Sequence, residues 1–198
     1  MINDATYVAF GDSITEGYGV ARGFVSYLAQ FLKEADSHHT WKVINRGMSG
    51  ETSREALCRL ETDVLAQKPD LVTINFGVND AFSGISPAAF KDILGRMILP
   101  IREAGCPMVV LLSSEVIPEP WAERQVGPYW DAMRAVAGEC GVVYADVNGR
   151  WRQELEKGRP EEELILRGDL HPNEAGHRLI AETVFEAMTA SGLIEGSV

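Results

Sequence analysis

The chain has 198 residues, 45% hydrophobic and 24% charged, which excludes disordered and fibrous classes and leaves enough apolar side chain for a substantial core. A formal charge of -11 argues against a nucleic-acid partner, whose binding rests on clustered Lys and Arg, and favours small or neutral substrates. Cys58, Cys106 and Cys140 are odd in number and lack a CxxC spacing, so neither a disulfide framework nor a zinc site is expected; they read as reduced core or near-core thiols.

The N-terminal stretch "MINDATYVAFGDS" enters a strand pattern without a basic segment and a long apolar run before it, so cytoplasmic residence is expected. No apolar stretch approaches the ~20 residues of a membrane helix. In chain order, "TYVAF" ending at Phe10 is the first strand, and Phe24, Val25, Leu28, Phe31 and Leu32 recur at helical spacing after it. "WKVIN" at 41–45 is the second strand, followed by a helical stripe of Ala56, Leu57, Leu60, Val64 and Leu65. "LVTINF" at 71–76 is the third. Ser86 and Pro87 then read as the N-cap and first residue of a helix carrying Phe90, Ile93, Leu94, Met97, Ile98 and Ile101. Pro100 should kink that helix or end it early, and Gly105 and Pro107 close it before the strand "MVVLLS" at 108–113. A fourth helix is expected over Pro128 to Cys140, the strand "VVYADV" over 142–147, and a short helix around Trp151 to Glu156. A last helix runs from about Asn173 to Ala190, with Ala175, Leu179, Ile180, Val184, Phe185 and Met188 inside.

Such alternation forces parallel strands joined by crossovers, hence one open sheet covered on both sides. The expected fold is a three-layer α/β/α, flavodoxin-like domain with five parallel strands, each buried on both faces, and a single domain over residues 1–198. The least regular stretches, 114–127 and 148–164, follow strand C-terminal ends, where open α/β sheets hold their ligands.

Four segments fall on that rim: "GDSITEGYG" at 11–19 after the first strand, "NRGMSGETS" at 45–53 after the second, "GVND" at 77–80 after the third, and "GDLHPNEAGH" at 168–177 before the last helix. Taken singly each has a plain structural reading as turn or cap residues. Jointly, through "GDS" followed by "GYG", "VINRGMSGETS", "FGVND" and "LHPNEAGH", the sequence resembles the SGNH hydrolases, also called GDSL esterases and lipases, along nearly its whole length. The resemblance implies the flavodoxin-like fold and hydrolysis of esters or thioesters by a serine nucleophile without a cofactor.

Ser13 then sits where a hydroxyl leaves the sheet edge at the start of a helical turn, open to a substrate carbonyl. His171 is the base that takes its proton, imidazole being the side chain suited to that task, and Pro172 suits the first position of the last helix. The resemblance further implies an oxyanion hole of the Ser13 N–H, the Gly50 N–H and the Asn79 side chain; Gly50 is preferred to Gly47 because the family's glycine follows the serine of that block. The family's acid lies three residues before its histidine, and that position here is Gly168. Two readings stay open: Asp169, two residues away, orients His171, or the site works as a Ser–His dyad.

Asp12 and Asp80 read as loop-bracing carboxylates, His177 as a surface or packing residue, and Trp121, Trp130 and Trp151 as packing residues of which some could line a pocket. The expected substrate is a small-molecule ester with a small or medium acyl group, an acetylated sugar standing ahead of a lysophospholipid or acyl-CoA. No nucleic acid, membrane span, metal or cofactor is expected, and oligomeric state carries no sequence signature. The rivals are a non-catalytic carbonyl or carboxylate binder on the same fold and a phosphate binder, the latter disfavoured because GxxxxGK[ST] is absent.

Overall fold

The computed structural model describes residues 3–36, 38–115, 117 and 119–194. Its strands are β1 (Asn3–Gly11), β2 (His39–Gly47), β3 (Leu71–Asn75), β4 (Met108–Leu112) and β5 (Val143–Ala145). They form one sheet in the order β2-β1-β3-β4-β5, with every neighbouring pair parallel. The chain starts in the middle, goes out to β2, and crosses back over β1 to build the other half. That reversal lies between β1 and β3, where Gly11 stands level with Gly47 on one side and Asn75 on the other. Open sheets of this kind gather their ligands at such a reversal.

The crossovers are built from α1 (Ser13–Glu16), α2 (Phe24–Ala35), α3 (Ser53–Leu57), α4 (Leu60–Asp63), α5 (Val78–Phe82), α6 (Pro87–Glu103) and α7 (Pro120–Cys140), and α8 (Val147–Glu156) and α9 (Glu174–Ala190) follow the last strand. Side chains alternate across a strand, so each strand feeds two cores. Val8, Phe10, Val72, Ile74 and Leu111 pack against Phe90, Leu94 and Met97 of α6 and Val126 and Met133 of α7. Tyr7, Ala9, Leu71, Val110 and Leu112 pack against Phe24, Leu28 and Leu32 of α2 and Leu179, Ile180 and Val184 of α9. This is the three-layer architecture expected. Among the described residues no helix is long and apolar enough to cross a membrane.

Several elements differ from expectation for identifiable reasons. No residue of β2 is buried, because it is an edge strand covered only in part. The stripe from Ala56 to Leu65 is broken into α3, α4 and a 3₁₀ turn (Leu65–Gln67). At Arg59 the backbone leaves the helix (φ -107, ψ 6), and its guanidinium turns inward to Glu51, Asp63 and the Arg46 carbonyl. α6 runs through Pro100 to Glu103, since Met97, Ile98 and Ile101 keep the stripe buried and Ala104 N–H still reaches the Pro100 carbonyl at 2.9 Å.

α7 begins at Pro120, eight residues before the expected start. Ala122, Val126, Tyr129, Trp130 and Met133 form one buried stripe on both sides of Pro128. The irregular stretch expected over 114–127 therefore shrinks to its first residues, of which 116 and 118 lie outside the described residues. α8 starts at Val147, capped by Asp146, whose carboxylate accepts the Gly149 N–H at 3.0 Å. Among the thiols Cys106 is buried and Cys140 half-buried, but Cys58 is exposed.

Candidate active site

β1 ends at Gly11, and Asp12 caps the single turn of α1 by accepting the Ile14 N–H at 3.1 Å. Ser13 is the first residue of that turn, so its own N–H has no helical acceptor and points off the sheet edge. At the other end of the turn the N–H groups of Gly17 and Tyr18 both donate to the Ser13 carbonyl at 3.0 Å. The hydroxyl is thus held on a short, doubly anchored loop at the topological reversal.

The second part of the site is the segment before α9. Leu166 N–H donates to the His171 carbonyl at 2.8 Å, Asn173 N–H to the Leu164 carbonyl at 2.9 Å, and Ile165 bridges Pro172, so residues 164–173 close on themselves. Asn173 is the N-cap of α9, accepting from Ala175 and Gly176 while its amide donates to the Ile165 carbonyl at 3.0 Å. Pro172 accordingly lies outside the helix, paired with Ile165, and not at its first position as expected. Gly168, where the family pattern has its acid, is left-handed (φ +77) at the tip of this closed turn. A side chain there would be strained, and the next residue takes the carboxylate.

That carboxylate reaches the imidazole. Asp169 Oδ1 lies 2.6 Å from His171 Nδ1, and His171 Nε2 lies 2.9 Å from Ser13 Oγ. Asp169 also accepts the backbone N–H groups of Leu170 at 2.6 Å and His171 at 3.1 Å. The hydrogen bond from His171, aided by those two N–H groups, holds its carboxyl below the usual range. An ionised carboxylate only accepts, so Nδ1 carries the ring proton and Nε2 turns a lone pair to the serine hydroxyl.

The candidate donors come from the segments after β2 and β3. Gly47 N–H is already spent on Asn45 Oδ1 at 2.8 Å, whereas among the described residues Gly50 N–H has no acceptor. Gly50 is left-handed (φ +78) in the turn that Glu51 N–H closes on the Met48 carbonyl. This turn is pinned to the loop bearing Ser13 by Met48 N–H to the Gly11 carbonyl at 3.0 Å and Ser49 N–H to Glu16 at 2.8 Å. Asn79, in the first turn of α5, directs Nδ2 to the Glu51 carbonyl at 3.1 Å and to Asp12 Oδ2 at 3.4 Å. Asp80 turns away from the rim and accepts Ser53 N–H at 3.1 Å, bracing the second block against the third.

Three carboxyls lie buried behind this face. Burial pushes Asp12 up to about 7 and Glu115, which follows β4, up to about 8; burial also raises Asp80, against the pull of its Ser53 hydrogen bonds. Glu115 escaped the sequence reading because a lone Glu after "LLSS" has no pattern to distinguish it. Tyr18 escaped too: its ring lies 4.6 Å from that of His171, tilted by 42°. His177 is fully buried on α9, where Nδ1 accepts the Phe24 N–H at 3.2 Å and burial lowers its pKa to about 4. It is a neutral packing residue. Of the tryptophans, Trp151 and Trp130 are core, and Trp121 is exposed at the start of α7, edge-on to Phe82. Among the described residues no group of three or more His, Cys, Asp or Glu side chains is arranged to hold a metal ion.

Comparison with known proteins places these observations in a wider set. Residues 9–179 match the model of the GDSL-like Lipase/Acylhydrolase family. The chain is 26% identical to an acetylxylan esterase of Geobacillus stearothermophilus, over 86% of this chain and 88% of that protein. It is 32% identical to the esterase TesA of Pseudomonas aeruginosa, over 68% of this chain and 66% of the other. The crystal structure of Axe2, an acetylxylan esterase from Geobacillus stearothermophilus, superposes with a TM-score of 0.81 at 25% identity, covering 94% of this chain and 95% of that one.

Proposed function

The chain belongs to the GDSL-like lipase and acylhydrolase family and is a carboxylic ester hydrolase; from that premise we propose that Ser13, His171 and Asp169 are its catalytic residues and that Ser13, Gly50 and Asn79 supply its oxyanion donors. One observation carries the reading: Ser13 Oγ, the His171 ring and Asp169 form an unbroken hydrogen-bonded line of 2.9 and 2.6 Å. With Asp169 in contact with Nδ1, the triad reading is preferred to the dyad.

Ser13 Oγ bonds to the acyl carbon while His171 Nε2 takes the hydroxyl proton. Negative charge collects on the former carbonyl oxygen. The N–H groups of Ser13 and Gly50 receive it, and Asn79 exchanges its contact with the Glu51 carbonyl for the same oxygen. Each such donor is worth about 3–4 kcal/mol in the transition state. The bond from acyl carbon to alkoxy oxygen then breaks, and Nε2 returns the proton to the departing alcohol. A water molecule repeats the sequence, with Nε2 as base, freeing the acid and restoring Ser13. Asp169 keeps the ring in one tautomer and offsets the charge of the imidazolium.

The acyl group is placed at the short end, an acetyl ester of a sugar or similar alcohol. Its support is that the loops after β1 and β3 enter helices at once, and that a relative along most of the chain is named an acetylxylan esterase. Purified protein is expected to hydrolyse p-nitrophenyl acetate and to be labelled on Ser13 by a fluorophosphonate. Ser13→Ala and His171→Ala should each lower turnover at least about 10³-fold with the fold unchanged by circular dichroism. Undiminished turnover in either variant overturns the mechanism, and a folded wild type inert to both reagents points to the carbonyl binder instead.

A further inference from the structure

The half of an ester that leaves must depart beside the group that protonates it. If His171 Nε2 delivers the proton, the alkoxy oxygen lies against that nitrogen, and the body of the alcohol rests on whatever flanks the imidazole. One aromatic side chain does so, and an exposed leucine precedes the histidine in the chain. Tyr18 lays its ring 4.6 Å from the imidazole and is still 46% exposed, and Leu170, immediately before His171, is 44% exposed. A large apolar residue so exposed on a folded surface marks a contact site when it borders reacting groups, and Tyr18 stands against the ring of His171.

Tyr18 is held there by the backbone. Its N–H is anchored on the carbonyl of Ser13 at 3.0 Å, and the glycines on either side, Gly17 and Gly19, are both left-handed (φ +88 and +73). The chain therefore turns sharply before and after the tyrosine, which leaves its ring standing beside the histidine instead of folding into the α2 core. The other exposed aromatic pair is Phe82, three residues past Asn79 at the end of α5, edge-on to Trp121 in the first turn of α7, and among the described residues neither ring pairs with the imidazole. The ring beside the group that protonates the departing alcohol is therefore that of Tyr18.

Resting on the Ser13–His171 reading, we infer that Tyr18 is the alcohol subsite and selects esters whose alcohol carries a flat or apolar-faced ring. An aryl ring and the C–H face of a sugar ring share that chemistry, since either lies flat on a phenol; a small alkyl alcohol leaves the tyrosine uncovered. The residue is a determinant of specificity for the first half-reaction only. Once the alcohol has left, the acyl-enzyme no longer touches it.

The test compares kcat/KM, which reports acylation, for benzyl acetate, a xyloside monoacetate and ethyl acetate in the full-length protein. In Tyr18→Ala the ratio of ring ester to ethyl ester should fall about tenfold or more for at least one ring ester, and which one responds separates aryl from sugar. Tyr18→Phe should keep the ratio within about twofold, because the ring and not the hydroxyl does the recognition. An unchanged ratio in Tyr18→Ala, or an equal fall for all three esters, overturns the inference: the second result makes Tyr18 a support for His171 alone. Ser13→Ala, run on ethyl acetate in parallel, tests the underlying reading separately, since its failure leaves that ester hydrolysed and says nothing of Tyr18.

Discussion

Asp169 reaches His171 from only two residues away because the chain between them is not extended. Gly168 turns left-handed and Asp169 N–H closes on the Leu166 carbonyl at 3.1 Å, which swings the carboxylate under the ring. Sequence spacing leaves this undecided, since a two-residue separation says nothing of the turn that contains it. Asp169→Asn should lower kcat by about 10²- to 10⁴-fold, as an amide can leave the imidazole in the wrong tautomer. The wild-type carboxyl is depressed, so its contribution is present at neutral pH and disappears as pH falls through its folded value. Asp169→Asn has no carboxyl to protonate, so the ratio of wild-type to variant rate should narrow as pH falls through the folded value of Asp169, measured by stopped-flow acylation at a series of acid pH values. Ser13, His171, Gly50 and Asn79 could be picked out as candidates because each lies in a block whose residue order resembles the family's. Tyr18 and Glu115 could not, because their positions depend on contacts that no local pattern encodes.

At the scale of the element, periodicity found the strands and the long helices. It erred where a neighbour outweighs it: at Arg59, where three acceptors pull the guanidinium out of a helical run, and at Pro128, where a buried stripe carries α7 through a residue that reads as a start. β2 reads as buried because Val43 and Ile44 suit any strand, but its place at the edge is decided by topology. The N-cap of α9 does two tasks, closing the helix and tying residues 164–173 through Ile165. Asn173→Ala should cost about 1–2 kcal/mol in urea unfolding, and lower kcat more than a cap placed far from the rim, since the same amide steadies the turn bearing His171. Thr52→Ala, which opens the capping box of α3 beside Gly50, serves as the comparison, with about 1 kcal/mol expected.

For the whole molecule, the strand order sets three C-terminal ends level, and the parallel alternation made this readable before any coordinates. The buried carboxyls behind that rim were not readable, and they shape how stability responds to pH. Glu115 keeps its proton in the folded chain up to about 8, whereas an unfolded chain releases it near the ordinary glutamate value. Over that interval the folded state binds more protons, so this residue makes stability fall as pH rises and has no further effect above it. Glu115→Gln cannot lose a proton; the difference in Tm between variant and wild type should grow from pH 5 to 8 and then level off, and a constant difference would count against this account. Asp12, raised to about 7 by burial, acts in the same direction. One consequence follows from the way residues 164–173 close upon themselves. On the proposed mechanism His171 and Asp169 ride on one self-bonded hairpin while Ser13 is bolted to the sheet, so a displacement of the hairpin would silence hydrolysis with the imidazole–carboxylate couple still assembled.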